Sequence, residues 1–277
     1  MAKIEQTKGL CKYCGKEFAR SGMLRHLPAC KERKAVLKAE AGECKCGYFE
    51  LLISAKYNDD YWLIIEMPET AALSDLDQFI RDIWVECCSH ESLFDIRGEL
   101  YESVPDFGAF WENEFGIEGE PGLKAVKLRD VLSKGLVFRY EYDMGSTTEL
   151  IIKVQDCRVG IWQAKTVTIL SRNNPVEILC CHCKKNKAEL INPERYYEED
   201  AFWCEECLIA DIESEEDEEE QDEEWKAMDI EEKRYVYSLY DFFLPVCNSP
   251  RMGVCGYEGS RIYPDQFEPD DKDKAGK

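Results

Sequence analysis

The sequence predicts an α+β fold: an antiparallel sheet with helices packed on it, an N-terminal ββα zinc finger, and a C-terminal four-cysteine module resembling a zinc ribbon. Three observations lead there. Strand-like runs recur between residues 48 and 170, an amphipathic segment interrupts them, and cysteine clusters with metal-ligand spacing lie on either side. Strand runs joined by short turns, with only two helical segments among them, build an antiparallel sheet rather than a doubly wound parallel one.

Residues 1–40 form a basic finger followed by a Lys/Glu/Ala-rich stretch, Lys31 to Glu40, that can continue as a helix. Cys11-x2-Cys14-x11-His26-x3-Cys30 has the ligand order of a hairpin knuckle and a helix. The knuckle supplies two thiolates; the helix supplies an imidazole and a thiolate one turn apart. Phe18 and Met23 fall where such a finger needs its small core. A segment of this size cannot bury a self-sufficient core, so the ion is needed for folding whatever else the finger does.

Residues 44–172 form the α+β body. Tyr48 to Ser54 and Tyr61 to Glu66 read as strands around the turn Tyr57-Asn58-Asp59-Asp60. Leu73, Leu76, Ile80, Ile83, Trp84 and Cys87 recur at three- and four-residue steps, which predicts a helix with Ser74 or Asp75 as N-cap. A shorter helix is expected around Leu123 to Leu132, ended by Gly135. Val137 to Tyr142 and Thr147 to Val154 flank Asp143-Met144-Gly145-Ser146, predicting a hairpin with Gly145 taking positive φ. Lys165 to Leu170 alternates as a further strand.

Residues 173–210 hold Cys180-x2-Cys183-x20-Cys204-x2-Cys207, a four-thiolate set with zinc-ribbon spacing. Four protein ligands fill a tetrahedral ion, so this site is expected to be structural. Residues 211–224 form an acidic linker, and 225–277 an amphipathic segment and tail. The remaining cysteines read as small hydrophobes: Cys87, Cys88 and Cys157 as core, and Cys44, Cys46, Cys247 and Cys255 as buried free thiols rather than a further metal site. His90 reads as a helix-end contact.

Charge narrows the partners. The 277 residues carry a net charge of -22, but residues 1–40 hold 10 Lys/Arg against 4 Asp/Glu, leaving 25 against 53 in the rest. A polyanion is attracted only by the first segment. Arg20, Arg25, Arg33 and Lys34 are the candidate nucleic-acid contacts; of the base-reading positions Ala19, Gly22 and Arg25, only the last can recognise a base edge. The acidic run could also fold back on the finger and block it. No apolar run reaches the ~18 residues of a spanning helix, and the start lacks a secretory pattern, so a soluble, cytoplasmic protein is expected. Walker loops, dinucleotide glycine fingerprints and Gly-x-Ser-x-Gly elbows are absent, which counts against the commonest enzymes.

Three segments carry a likeness. Leu73 to Trp84, Phe138 to Leu150 and Leu244 to Tyr257 resemble the plasmid pRiA4b ORF-three-like family, also described as insertion-element passenger TnpR-like proteins. The resemblance implies an α+β body found on plasmids, transposons and prokaryotic genomes, and the cysteines 180 to 207 resemble a zinc module of many members. It implies no activity for particular residues. The expected function is a non-enzymatic adaptor with two structural Zn(II) sites, associated with mobile elements or genome defence, its finger touching nucleic acid or a protein partner. Two alternatives stand: a divalent-cation hydrolase or nuclease using the acidic hairpin near Asp143 and Glu149, and a protein-only interaction module.

Overall fold

The computed structural model describes residues 6–40, 42–103, 123–196, 198–215, 228–236 and 239–269. The chain divides into two units, Met1–Pro175 with Ser260–Lys277, and Val176–Gly259. Residues 1–40 therefore belong with the body, and the C-terminal tail returns to it: Ser260 Oγ donates to the Asp82 carbonyl, and the Tyr263 ring meets Phe79 edge-on.

The first unit opens with the hairpin β1 (Lys8–Leu10) and β2 (Glu17–Ala19), then α1 (Arg20–Ala29) and α2 (Lys31–Ala39). The two helices are separate. Pro28 sits in α1 and Cys30 takes ψ 121°, so the chain leaves helical geometry before α2 begins. Next come β3 (Lys45–Ala55), β4 (Trp62–Pro68), α3 (Leu73–Ile80), β5 (Ser92–Ile96), β6 (Glu99–Glu102), α4 (Leu128–Val131), β7 (Val137–Tyr142), β8 (Thr148–Ile161) and β9 (Thr168–Arg172). Seven strands form one antiparallel sheet in the order β6-β5-β7-β8-β3-β4-β9.

Several local expectations change. The cap of α3 is Ala72, and Asp75 instead accepts the Ala72 N–H at 2.7 Å from three residues on. α3 passes into a π-helical turn, Arg81–Val85, rather than continuing to Cys87. Only four residues of the expected 123–132 helix are helical. In the β7–β8 turn Asp143, not Gly145, adopts positive φ (64°), and its carboxylate accepts the Gly145 N–H. Short acidic side chains tolerate that conformation by bonding locally.

The whole of β4 is buried because both its faces are covered. Trp62 and Ile64 pack with Leu170 against Cys11, Met23, Leu27 and Cys30 of the N-terminal hairpin and helix. Leu63, Ile65 and Met67 alternate with them and are equally buried. Docking of this N-terminal segment is reinforced by hydrogen bonds: the backbone Lys12 N donates to Leu170 O and Asn174 N to Lys8 O, and the Trp62 side chain donates through Nε1 to Thr7 Oγ1. Gly9 is required at this junction, since a Cβ there would lie 2.1 Å from the Arg172 carbonyl oxygen.

A row of carboxylates crosses the same sheet. Glu66 on β4 faces Glu50 on β3, which faces Asp156 on β8. Like charges directly opposite repel. Arg33 of α2 inserts above them, 2.8 Å from Glu50 and 3.4 Å from Glu66, while Arg158 holds Glu66 through two bonds of 2.6 and 2.7 Å. Burial outweighs Arg33 and pushes the Glu50 carboxyl above its usual 4.5. A raised carboxyl pKa means the folded state binds the extra proton, so Glu50 lowers stability as pH rises from about 4.5 through its folded value. Glu50→Gln is expected to flatten that part of the stability–pH curve, measured by urea unfolding between pH 4 and 7; an unchanged slope would count against it.

The second unit contains β10 (Leu190–Ile191), β11 (Phe202–Trp203), α5 (Glu205–Glu215), α6 (Ile230–Val236), α7 (Leu239–Phe242) and β12 (Leu244–Pro245). Its sheet has the order β11-β10-β12. The acidic stretch expected as a linker begins within α5; residues 216–224, with the proposed fold-back onto the finger, lie outside the described residues. Among the described residues no helix is long and apolar enough to cross a membrane.

Candidate metal centres

Cys11, Cys14, His26 and Cys30 present ligand atoms that all lie within 4.8 Å of one another. The knuckle is set by Cys11 N donating to Lys16 O and Gly15 N to Cys11 O, with Gly15 at φ 68°. The Phe18 ring stacks on His26 at 4.3 Å and fixes the imidazole, whose Nε2 is 3.2 Å from Cys14 Sγ. Burial keeps the His26 proton affinity low and pushes the thiols of Cys11, to about 12, and Cys30 upward. A neutral imidazole is ready to ligate, and thiols held high by burial ionise when a cation sits beside them.

Cys180, Cys183, Cys204 and Cys207 form a second set within the same 4.8 Å limit. Its first knuckle shares part of that backbone: Lys184 N donates to Cys180 O and Lys184 follows the second cysteine at φ 55°, while Cys180 N donates to Asn186 O, one residue further on than the Cys11–Lys16 bond. Burial opposes ionisation of Cys180, yet the amides of Cys204, Cys183 and His182 outweigh it and bring the thiol down to about 6. The amides of Asn186 and Lys185 lower Cys183 likewise, whereas burial raises Cys204 and Cys207. Cys183 and Cys204 sulfurs are 4.0 Å apart. Tetrahedral zinc with ~2.3 Å bonds to sulfur places its ligands about 3.8 Å apart, so the donor set fits that ion in number, chemistry and spacing.

The expected nucleic-acid contacts do not share one environment. Arg33 is buried under α2 and spent on Glu50 and Glu66, which removes it from any phosphate surface. Arg20 is half-buried and pairs with Asp59 at 2.9 Å. Arg25 and Lys34 are exposed. Sequence spacing shows which residues are basic but cannot show that the docked helix turns one of them inward.

The acidic hairpin disperses in the same way. Glu149 is held by Lys56 and Tyr57, Glu141 lies 3.9 Å from Arg139, and Asp143 lies 3.5 Å from His90 Nε2. Among the described residues no three of these carboxylates bring their oxygens together as a ligand group.

Sequence reasoning missed one constellation. Cys87 and Cys88, expected in the core, are respectively half-buried and exposed, and their sulfurs approach His90, expected as a mere helix-end contact. Adjacent cysteines and a histidine two residues on were the available signal. Cys157 is exposed rather than core; Cys46 and Cys247 are buried as expected, while Cys44 and Cys255 are exposed.

No protein-family model matches the chain, and no curated protein matches it. Among solved structures it is similar to a protein of unknown function from Methanosarcina mazei Go1, at 18% identity over 47% of this chain and 68% of that one, with a TM-score of 0.35.

Proposed function

We propose that the chain is a non-enzymatic adaptor scaffolded by two structural zinc ions, one in an N-terminal ββα finger of Cys-Cys-His-Cys type and one in a ribbon-like four-cysteine module. The observation that carries this is the pair of four-donor clusters, each with its ligand atoms within 4.8 Å. Four side-chain ligands complete a tetrahedral zinc and leave no place for substrate. The finger is a folding element first: its apolar side packs on Trp62, Ile64 and Leu170, and its Arg33 balances buried carboxylates. A surface so acidic elsewhere suits a protein partner rather than a polyanion. Association with mobile elements or genome defence, in the cytoplasm, rests on the three segments that resemble the plasmid ORF-three-like family.

Elemental analysis of the full chain tests the sites: Cys14→Ser and Cys183→Ser are each expected to lose one zinc, and unchanged zinc in both would refute the scaffold. A second reading has its own support in the exposed Arg25, Lys31, Lys34 and Lys38 of α1 and α2. Under the adaptor reading the intact chain does not retard duplex DNA at ~150 mM salt. Retardation that weakens steeply between ~50 and ~200 mM salt, and is lost in Arg25→Ala/Lys34→Ala, would establish phosphate contact instead.

A further inference from the structure

We propose that Cys87, Cys88 and His90 form a third metal-binding site, for a thiophilic divalent cation such as Zn(II), in the loop between α3 and β5. Their ligand atoms lie within 4.8 Å of one another. The Cys87 and Cys88 sulfurs are 3.7 Å apart, near the about 3.8 Å of two thiolates on one tetrahedral zinc. Cys88 Sγ is 2.9 Å from His90 Nε2. Two thiolates and an imidazole are donors that zinc accepts, and they supply at least three of its bonds.

The loop is built to hold this arrangement. Ser89 follows the second cysteine at φ 62°, the left-handed conformation that Gly15 and Lys184 take after Cys14 and Cys183. A serine adopts that conformation only against steric cost, so its surroundings must hold it. They do so through Glu86, whose Oε1 accepts the Ser89 N–H at 2.6 Å, and through the Tyr142 hydroxyl, which accepts the backbone N–H groups of Cys87 and His90. Arg81 binds Asp77 and Glu86 and donates to the His90 carbonyl at 2.8 Å. The ligand-bearing backbone is therefore tied to α3 and β7 before any ion arrives.

A nucleophilic cysteine is the competing chemistry, and the ring geometry disfavours it. A general-base imidazole holds the thiol on one nitrogen and its orienting carboxylate on the other. Here Cys88 Sγ and Asp143 Oδ2 both approach Nε2, at 2.9 and 3.5 Å. With Nε2 unprotonated, as ligation requires, the electron-rich atoms gathered around it form the arrangement a cation at their centre stabilises, with Asp143 adding negative charge beside it.

The test is zinc and cobalt content of the full chain against Cys88→Ala/His90→Ala, with cobalt(II)–thiolate absorption as a second readout. The expected result is one fewer equivalent of metal per chain and a weaker charge-transfer band, with both remaining four-ligand sites still loaded. Because the measurement is a difference of one ion, it is independent of whether those other sites hold zinc. Cys88 is exposed and His90 partly so, so the fold is expected to survive; His90→Asn alone, keeping both thiols, serves as the milder variant and should loosen the ion toward a competing chelator. Equal metal content in wild type and the double variant, or unaltered chelator competition in His90→Asn, would overturn the site.

Discussion

Cys204→Ser is expected to unfold most of the unit Val176–Gly259 while leaving the seven-stranded sheet folded. The unit's apolar core is small: among the described residues Leu190, Ile191, Leu208, Ile209, Leu239, Met252 and Tyr257 are buried, and Trp203, Ile212 and Phe243 only partly so. Six buried Leu, Ile and Met side chains contribute roughly 9–18 kcal/mol at ~1.5–3 each. Ordering the backbone costs ~1–2 kcal/mol for every residue fixed, so apolar burial on this scale does not hold the unit by itself. The proposed structural zinc would supply ~10–16 kcal/mol, comparable to that apolar burial. Cys204 sits where β11 ends and α5 begins, so under the proposed zinc site losing its thiolate breaks the link between the ion and the second knuckle; its backbone amide, which helps ionise Cys180, is retained in the serine variant. Segment-resolved hydrogen exchange would report this as lost protection at 190–191 and 202–209 with β3, β4 and β8 unchanged. Native protection of β10 and β11 in the variant would show that the ion is dispensable there.

The parts legible in the sequence were those with local signals. Strand-like runs bounded by turn residues marked β3, β4, β7 and β8, alternation marked β9, and cysteine spacing marked both four-donor clusters, because the knuckle is a short-range structure. The β5–β6 hairpin was missed although its two-residue turn is regular: Arg97 and Gly98 both have positive φ, and arginine in the first place hides what asparagine would announce. The extension of β8 to Ile161 was missed because its outer half is polar, and a bulge opposite Glu50 and Leu51 breaks the pattern. The Cys87–His90 cluster depends on a π-helical turn that ends the helix early; the apolar spacing through Cys87 points instead to an uninterrupted helix with that thiol inside. Long-range charge pairing had no local signal at all. Glu50 and Glu66 look like solvent-facing residues of half-buried strands until the finger is seen to cover them.

That covered charge gives the second large effect. Arg33→Ala is expected to cost about 3–5 kcal/mol, the usual consequence of removing one partner from a buried ion network. Arg33, Glu50 and Glu66 are all buried, so water cannot take over for the lost guanidinium. Arg158 still neutralises Glu66 through its paired bonds, but it binds Glu40 on its other side, and among the described residues Arg33 is the one arginine paired with Glu50. The orphaned Glu50 must then take up a proton or pull away from the sheet, carrying α2 with it. A Glu50→Gln background separates these costs: if the penalty comes from stranding a carboxylate, Arg33→Ala should lose much less stability there, and the double-mutant cycle should show coupling above ~1 kcal/mol. Equal losses in both backgrounds would mean that Arg33 acts through the packing of its alkyl chain against the finger and not through its charge.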